Sequence, residues 1–291
     1  MGIRTDLAME AKALWEKSAG KTTKLAGVRA RERERDGFAV TDVHILDRRG
    51  EAALGKPAGR YVTLELPPLA RDVRPAAEAL AAELRTPMRP LALDLTRLES
   101  VETLRVLMRE EEPEVAVLVN AAWFGKFGTC ADLTLQETCD MIDLNCRAAA
   151  ALTAAVLPYM GRGSRVLEIC SSAAFQPLPG FNVYAATKAF LLRYSRALRW
   201  EAAPRGIRVT AVCPGWIRTD FMDVARDTKN GRTVRSFPFA QRPETVARRA
   251  LRNSRLLAVT TCGLPALVQR VASKFLPHCF IMACWEGLRR A

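Results

Sequence analysis

Three short apolar runs end in polar residues that chemistry can use. After VAVLV comes Asn120, after RVLEIC comes Ser171, and after RVTAVC come Pro214 and Gly215. Downstream of Ser171, Tyr184 and Lys188 stand four residues apart, on one face of a predicted helix. A phenol ionises near pH 10 and is a poor acid or base at neutral pH, but a neighbouring ammonium favours the phenolate and lowers that value. Tyr184 beside Lys188 is therefore a candidate proton exchanger with a hydroxyl or carbonyl. Ser171, thirteen residues upstream, is a candidate hydrogen-bond partner for the same oxygen. YxxxK alone is a common pair on any helix; its weight comes from standing in order with Asn120, Asn145, Ser171 and PGWIRT.

The elements that must position these groups alternate. LALDL (91–95), VAVLV (115–119), SRVLEIC (164–170) and IRVTAVC (207–213) read as strands. Between them, 98–110, 135–159 and 182–203 read as helices. Nearly all-apolar strands separated by amphipathic helices predict a parallel sheet covered on both faces, with ligands beyond the carboxyl ends of the strands. Upstream, FAVTDVHIL (38–46) and YVTLEL (61–66) alternate as half-buried strands do, and 74–86 reads as a helix started by proline. Downstream, VARRALRNSRLLAV is a basic amphipathic helix followed by two apolar stretches, Leu256–Val268 and Phe275–Trp285. At 13 and 11 residues, each is short of the roughly 20 that a bilayer span requires.

Composition bounds the rest. The 291 residues, 49% hydrophobic and 26% charged, describe a folded chain rather than a disordered or collagen-like one. Forty-four basic against 31 acidic side chains favour anionic partners without naming one. The basic residues do not interleave with aromatics along a nucleic-acid module, so no specific nucleic-acid partner is expected. No GxSxG motif supports a serine hydrolase, and no Cys or His pairing resembles a metal site. The eight cysteines read as reduced thiols, and MGIRTDLAME lacks the apolar core of a signal peptide, so a cytoplasmic location is expected.

Residues from about 88 onward resemble a short-chain dehydrogenase/reductase entered at its third strand. LALDLT, LVNAAW, MIDLNC, ICSSAAF, YAATK and PGWIRT carry the likeness in the family's order. The resemblance implies a Rossmann-like α/β fold and hydride transfer between NAD or NADP and a small carbonyl or alcohol. Tyr184 would be the general acid in reduction, Ser171 would hold the substrate oxygen, Lys188 would lower the tyrosine pKa and bind the nicotinamide ribose, and Asn145 would continue the proton path. Cofactor contacts would come from Asp94, Asn120, Ala121, Pro214, Gly215, Ile217 and Thr219, and a homo-oligomer is an expected assembly.

Two features depart from that pattern. The glycine-rich turn TGxxxGxG, which brings backbone N–H groups to the pyrophosphate, is missing. Trp123 stands where NNAG ends in glycine, and an indole there is expected to crowd the cofactor or to fill a gap left by the altered first part. That first part has a likeness of its own. MGIRTDLAMEAKALW, VTDVHILD and ALGKPAGRYVTLEL resemble the start of the germination protease of spore-forming bacteria, stopping before its catalytic region. Asp42 and Asp47 accordingly read as strand-flanking surface carboxylates. The expected organisation is an α/β protein whose first βαβ portion is replaced by an unrelated α/β segment. Residues 1–87 form the germination-protease-like fragment, 88–254 the catalytic core and 255–291 a helical tail serving as a substrate lid or, alternatively, a weak membrane-surface contact. The alternatives to a working dehydrogenase are a fragment of a spore-protein endopeptidase and an inactive fusion.

Overall fold

The computed structural model describes residues 25–29, 43–47, 89–219, 221–226 and 239–290. The expected strand at 61–66, the helix at 74–86 and Asp42 lie outside the described residues. Seven described strands form one sheet in the order β3-β1-β2-β4-β5-β6-β7. They are β1 (Leu25–Arg29), β2 (Val43–Asp47), β3 (Arg89–Ala92), β4 (Val115–Asn120), β5 (Met160–Ile169), β6 (Arg208–Pro214) and β7 (Val259–Cys262). All run parallel except β2, which is antiparallel to both neighbours, β1 and β4. The sheet is therefore mixed rather than uniformly parallel, and the positions between β3 and β4 hold an antiparallel pair. Of FAVTDVHIL, the described residues 43–46 lie in β2, which runs on to Asp47.

From β4 onward the pattern in the sequence becomes structure almost residue for residue, because these strands are buried on both faces and leave the chain few alternatives. Leu118 and Val166 face one cluster with α1 (Leu98–Glu111), α2 (Leu135–Ile142), α3 (Ala149–Val156) and α4 (Asn182–Ala202). Their neighbours Val117, Val119 and Leu167 face a second cluster with Val246 and Ala250 of α6 (Pro243–Asn253). This is the period of two that sends successive side chains to opposite faces. A short α5 (Phe221–Arg226) follows β6.

Several boundaries differ from expectation, and β5 begins at Met160, four residues before the strand read from SRVLEIC. The helix expected over 135–159 is interrupted by a π turn at Asp143–Ala148 and ends in a 3₁₀ turn at Leu157–Tyr159, where Pro158 sits in the first turn. The apolar stretch from Leu256 is not one segment. It divides into β7 and α7 (Leu264–Phe275) at Gly263, whose φ of 88° is a conformation that favours glycine. The basic helix ends at Asn253 rather than running on to Val259, and α8 (His278–Arg290) closes the chain.

Candidate active site

Tyr184 is buried on the first turn of α4 inside an aromatic cluster. Its ring stacks on Phe181 at 4.4 Å between centroids and lies 5.5 Å from Phe221 and 6.0 Å from Trp123. Ser171 follows β5 and caps the next 3₁₀ turn by accepting a hydrogen bond from the Ala173 N–H at 3.1 Å. The same serine side chain lies close enough to the Tyr184 hydroxyl to favour its ionised form. The serine and tyrosine singled out in the sequence therefore meet. Burial pushes the Tyr184 pKa up, with Ser171 opposing it. The direction is opposite to the lowering expected from Lys188, because the ring sits among apolar groups rather than beside an exposed ammonium.

Lys188 is fully buried one turn further along α4. Its Nζ donates to the Ile169 carbonyl at 2.8 Å and stands 4.4 Å from the centre of the Trp123 ring and 5.6 Å from that of Tyr184. Burial lowers its pKa to about 7, offset in part by the neighbouring Cys170, Cys146, Cys213 and Glu168 side chains. Asn145 lies within the π turn. Its amide Nδ2 donates to the Phe124 carbonyl at 2.8 Å and to Thr187 Oγ1 at 3.0 Å, and its Oδ1 accepts from the Phe124 N–H at 3.1 Å. The side chain thus fastens the loop after β4 to α4, and the π turn, a feature frequent at functional sites, is what turns it inward.

The remaining expected cofactor residues divide. Ala121 and Ile217 line a pocket of about 460 Å³ on the α6 face of the sheet, together with Trp123, Ile169, Val212 and Leu251. Pro214 ends β6 at the same strand edge, Gly215 follows it, and Thr219 lies half-buried beyond. Asp94 is held locally: its carboxylate accepts from the Thr96 N–H at 3.0 Å and lies 3.7 Å from Arg97. The Asn120 amide turns away from the pocket, toward α3. Its Nδ2 donates to the Ala149 carbonyl, Thr153 Oγ1 and Glu168 Oε1 at 3.2, 2.7 and 2.8 Å.

Trp123 decides how these two halves relate. It lines the pocket on one side, and on the other it covers Lys188 and packs edge-on against Phe221 at 4.5 Å. The indole therefore stands between the pocket and the Tyr184–Lys188 pair. Gly125, two residues on, carries only a weak sequence signal but is demanded by the site. A Cβ there would come within 2.6 Å of the Tyr184 ring, so any side chain must displace the tyrosine.

With this geometry in view, the comparisons with known proteins are informative. A family profile described as short chain dehydrogenase matches residues 63–230, more than half of the chain. The chain belongs to the short-chain dehydrogenase family. The match begins within the segment expected to be the amino-terminal fragment, upstream of residue 88. Dehydrogenase/reductase SDR family member 4 of Homo sapiens is 38% identical over 123 residues, covering 40% of this chain and 44% of that protein. The chain thus spans less than half the length of this curated relative. The 3-oxoacyl-(acyl-carrier-protein) reductase FabG of Haemophilus influenzae is 31% identical over 164 residues, covering 56% of this chain and 68% of that protein. Among solved structures, a short-chain dehydrogenase from Sphingobium yanoikuyae in complex with NADPH aligns with a TM-score of 0.60 at 28% identity, over 76% of this chain and 83% of that one.

A buried carboxylate that the sequence did not single out completes the site's surroundings. Glu168 on β5 is fully buried, with Oε1 accepting from Asn120 and Thr153 while Oε2 has no partner. Burial raises its pKa from 4.5 to about 7, against the lowering effect of the Asn120 and Thr153 hydrogen bonds. Between pH 4.5 and 7 the folded protein holds a proton that the unfolded chain has released. Stability from this group is therefore full below pH 4.5 and falls as pH rises through that window, by on the order of 3 kcal/mol. Glu168→Gln keeps an acceptor for Asn120 and Thr153 and removes the titration. Urea unfolding of this variant should show a markedly flatter pH dependence between pH 4.5 and 7 than the wild type.

Proposed function

We propose that the chain is an NAD(P)-dependent oxidoreductase of the short-chain type that reduces a small carbonyl compound or oxidises the corresponding alcohol. The observation that carries this reading is the meeting of Ser171 and Tyr184 across 13 residues of sequence, with Lys188 one turn behind. The apolar pocket beside Ala121, Ile169 and Ile217 suits a nicotinamide ring in size and polarity. When bound, a reduced nicotinamide supplies the hydride to the carbonyl carbon. The chain does the rest. Ser171 holds the carbonyl oxygen, and Tyr184, kept protonated by burial, gives that oxygen its proton. Lys188 in its ammonium form stabilises the phenolate left behind, and Asn145 holds the loop that carries Phe124 and Gly125 against α4. The relative solved with NADPH and the relatives named as reductases support the cofactor class.

Titration of the purified protein with NADPH and NADH, read by nicotinamide emission, tests the reading. Micromolar binding of either supports it, and absence of binding up to millimolar cofactor in a folded sample overturns it. A second reading is favoured by Trp123: a folded member of the family that keeps its proton-transfer groups but whose pocket is closed off from them. We also propose that the residues upstream of the family match, before residue 63, are foreign to the family and joined to it by a gene rearrangement or an assembly error. Sequencing source DNA through the codons for residues 60–90 tests this, and an uninterrupted dehydrogenase start there overturns the rearrangement and leaves the assembly error.

A further inference from the structure

The carboxyl-terminal helices leave a surface that the proposed reaction does not use. In α7, Leu264, Leu267, Val268, Val271 and Phe275 recur at helical spacing on one arc, and all are exposed, Leu264 at 71% and Phe275 at 80%. The opposite side of the helix carries Ala266, buried and 3.8 Å from the Cβ position at Gly215. Exposed Leu276 and Phe280 carry the apolar surface into α8. Single exposed apolar residues are ordinary on a protein surface, but a continuous apolar band marks a docking face.

Charge selects the occupant. From residue 245 to residue 285 the chain has no Asp or Glu, while Arg248, Arg249, Arg252, Arg255, Arg270 and Lys274 fall within it. At helical spacing, Arg270 and Lys274 lie along one flank of the α7 arc. A second copy docking through the same face would bring two sets of these cations into one interface, with no carboxylate in the segment to offset them. A substrate lid would turn the apolar arc inward, yet the buried side of α7 meets Gly215 and the turn at Ser172–Phe175 while the arc faces outward. In α8 the contacts toward the site are separate from the arc. Trp285 Nε1 donates to the Pro179 carbonyl at 2.8 Å, and Arg289, paired with Glu286 at 2.9 Å, packs over Gly180.

We infer that α7 and the start of α8 dock on an anionic lipid surface. Leu267, Val271, Phe275 and Phe280 enter the headgroup boundary, exposed Lys274 reaches the lipid phosphates along its aliphatic stem, and half-buried Arg270, which also donates to the Val259 carbonyl at 3.5 Å, adds positive charge beside it. No helix among the described residues is long and apolar enough to cross a membrane, and an interfacial contact requires none. The inference stands apart from the dehydrogenase reading.

Co-sedimentation of the full chain with vesicles tests it. Vesicles containing phosphatidylserine should bind at least about tenfold more tightly than pure phosphatidylcholine vesicles, with the difference shrinking as salt is raised. The triple variant Leu267→Glu/Val271→Glu/Phe275→Glu should lose binding while its thermal midpoint stays at the wild-type value, because all three side chains are exposed. Lys274→Glu should weaken binding at least about fivefold. Equal binding of wild type and triple variant, or no binding to phosphatidylserine vesicles, overturns the proposal. So does a lipid-free oligomer of the wild type that the triple variant reduces to monomers, since that result gives the arc to a second copy.

Discussion

Tyr184→Phe is expected to lower kcat for carbonyl reduction by about 10²–10⁴ while leaving nicotinamide binding within about twofold. The hydroxyl is the only part removed, and the ring's stacking on Phe181 at 4.4 Å is retained, so the substituted residue keeps its place. Its pKa, raised by burial, keeps the phenol protonated at neutral pH and makes its proton harder to release. The phenolate formed on donation needs a positive neighbour, and Lys188, with a pKa of about 7, is an ammonium mainly below that value. The wild-type reduction rate is therefore expected to fall as pH rises through about 7. Steady-state kinetics across that range, with Tyr184→Phe alongside, check both statements. Full activity in the phenylalanine variant would remove Tyr184 from the chemistry.

Trp123→Gly carries the other large effect. The indole separates the pocket lined by Ala121 and Ile217 from Lys188, so its removal joins the two spaces and restores the glycine that NNAG has at this position. Affinity for NADPH or NADH should rise by at least about tenfold, equivalent to about 1.4 kcal/mol. Stability should fall by about 2–4 kcal/mol, because the variant loses the ring's contact with Phe221 and the cation–π interaction with Lys188, and leaves a cavity. Nicotinamide fluorescence titration and urea unfolding measure the two quantities. An affinity that does not change would show that the indole is no obstacle to the cofactor.

The fold from β4 onward was legible because two independent patterns agree there. Continuous apolar strands demand cover on both faces, and the helices between them have the spacing to provide it. The π turn at Asp143–Ala148 was not legible, since its residues continue a helical pattern and only the inward hydrogen bonds of Asn145 distinguish it. The β7–α7 division was hidden for a related reason. Leu256 to Val268 reads as one apolar run, and the single glycine in it, Gly263, signals a turn only once its backbone angle is known.

Among the site residues, Ser171, Tyr184 and Lys188 were singled out by standing in order with Asn120, Asn145 and PGWIRT, since a Tyr–Lys pair alone is common on any helix. Their electrostatics could not be read that way. A Lys four residues from a Tyr predicts a lowered phenol pKa in water, and burial of both groups reverses that direction for the tyrosine and brings the lysine to about 7. Gly125 and Glu168 were likewise beyond the sequence, since each is defined by what packs against it: the Tyr184 ring in one case, Asn120 and Thr153 in the other. The sequence by itself determined which chemical groups the chain carries and the alternation that brings them to one edge of a sheet. Only the tertiary structure decided which of them meet, which are dry and which are screened from the pocket by Trp123. Those properties arise from the desolvation and distances that packing imposes on residues far apart in the chain.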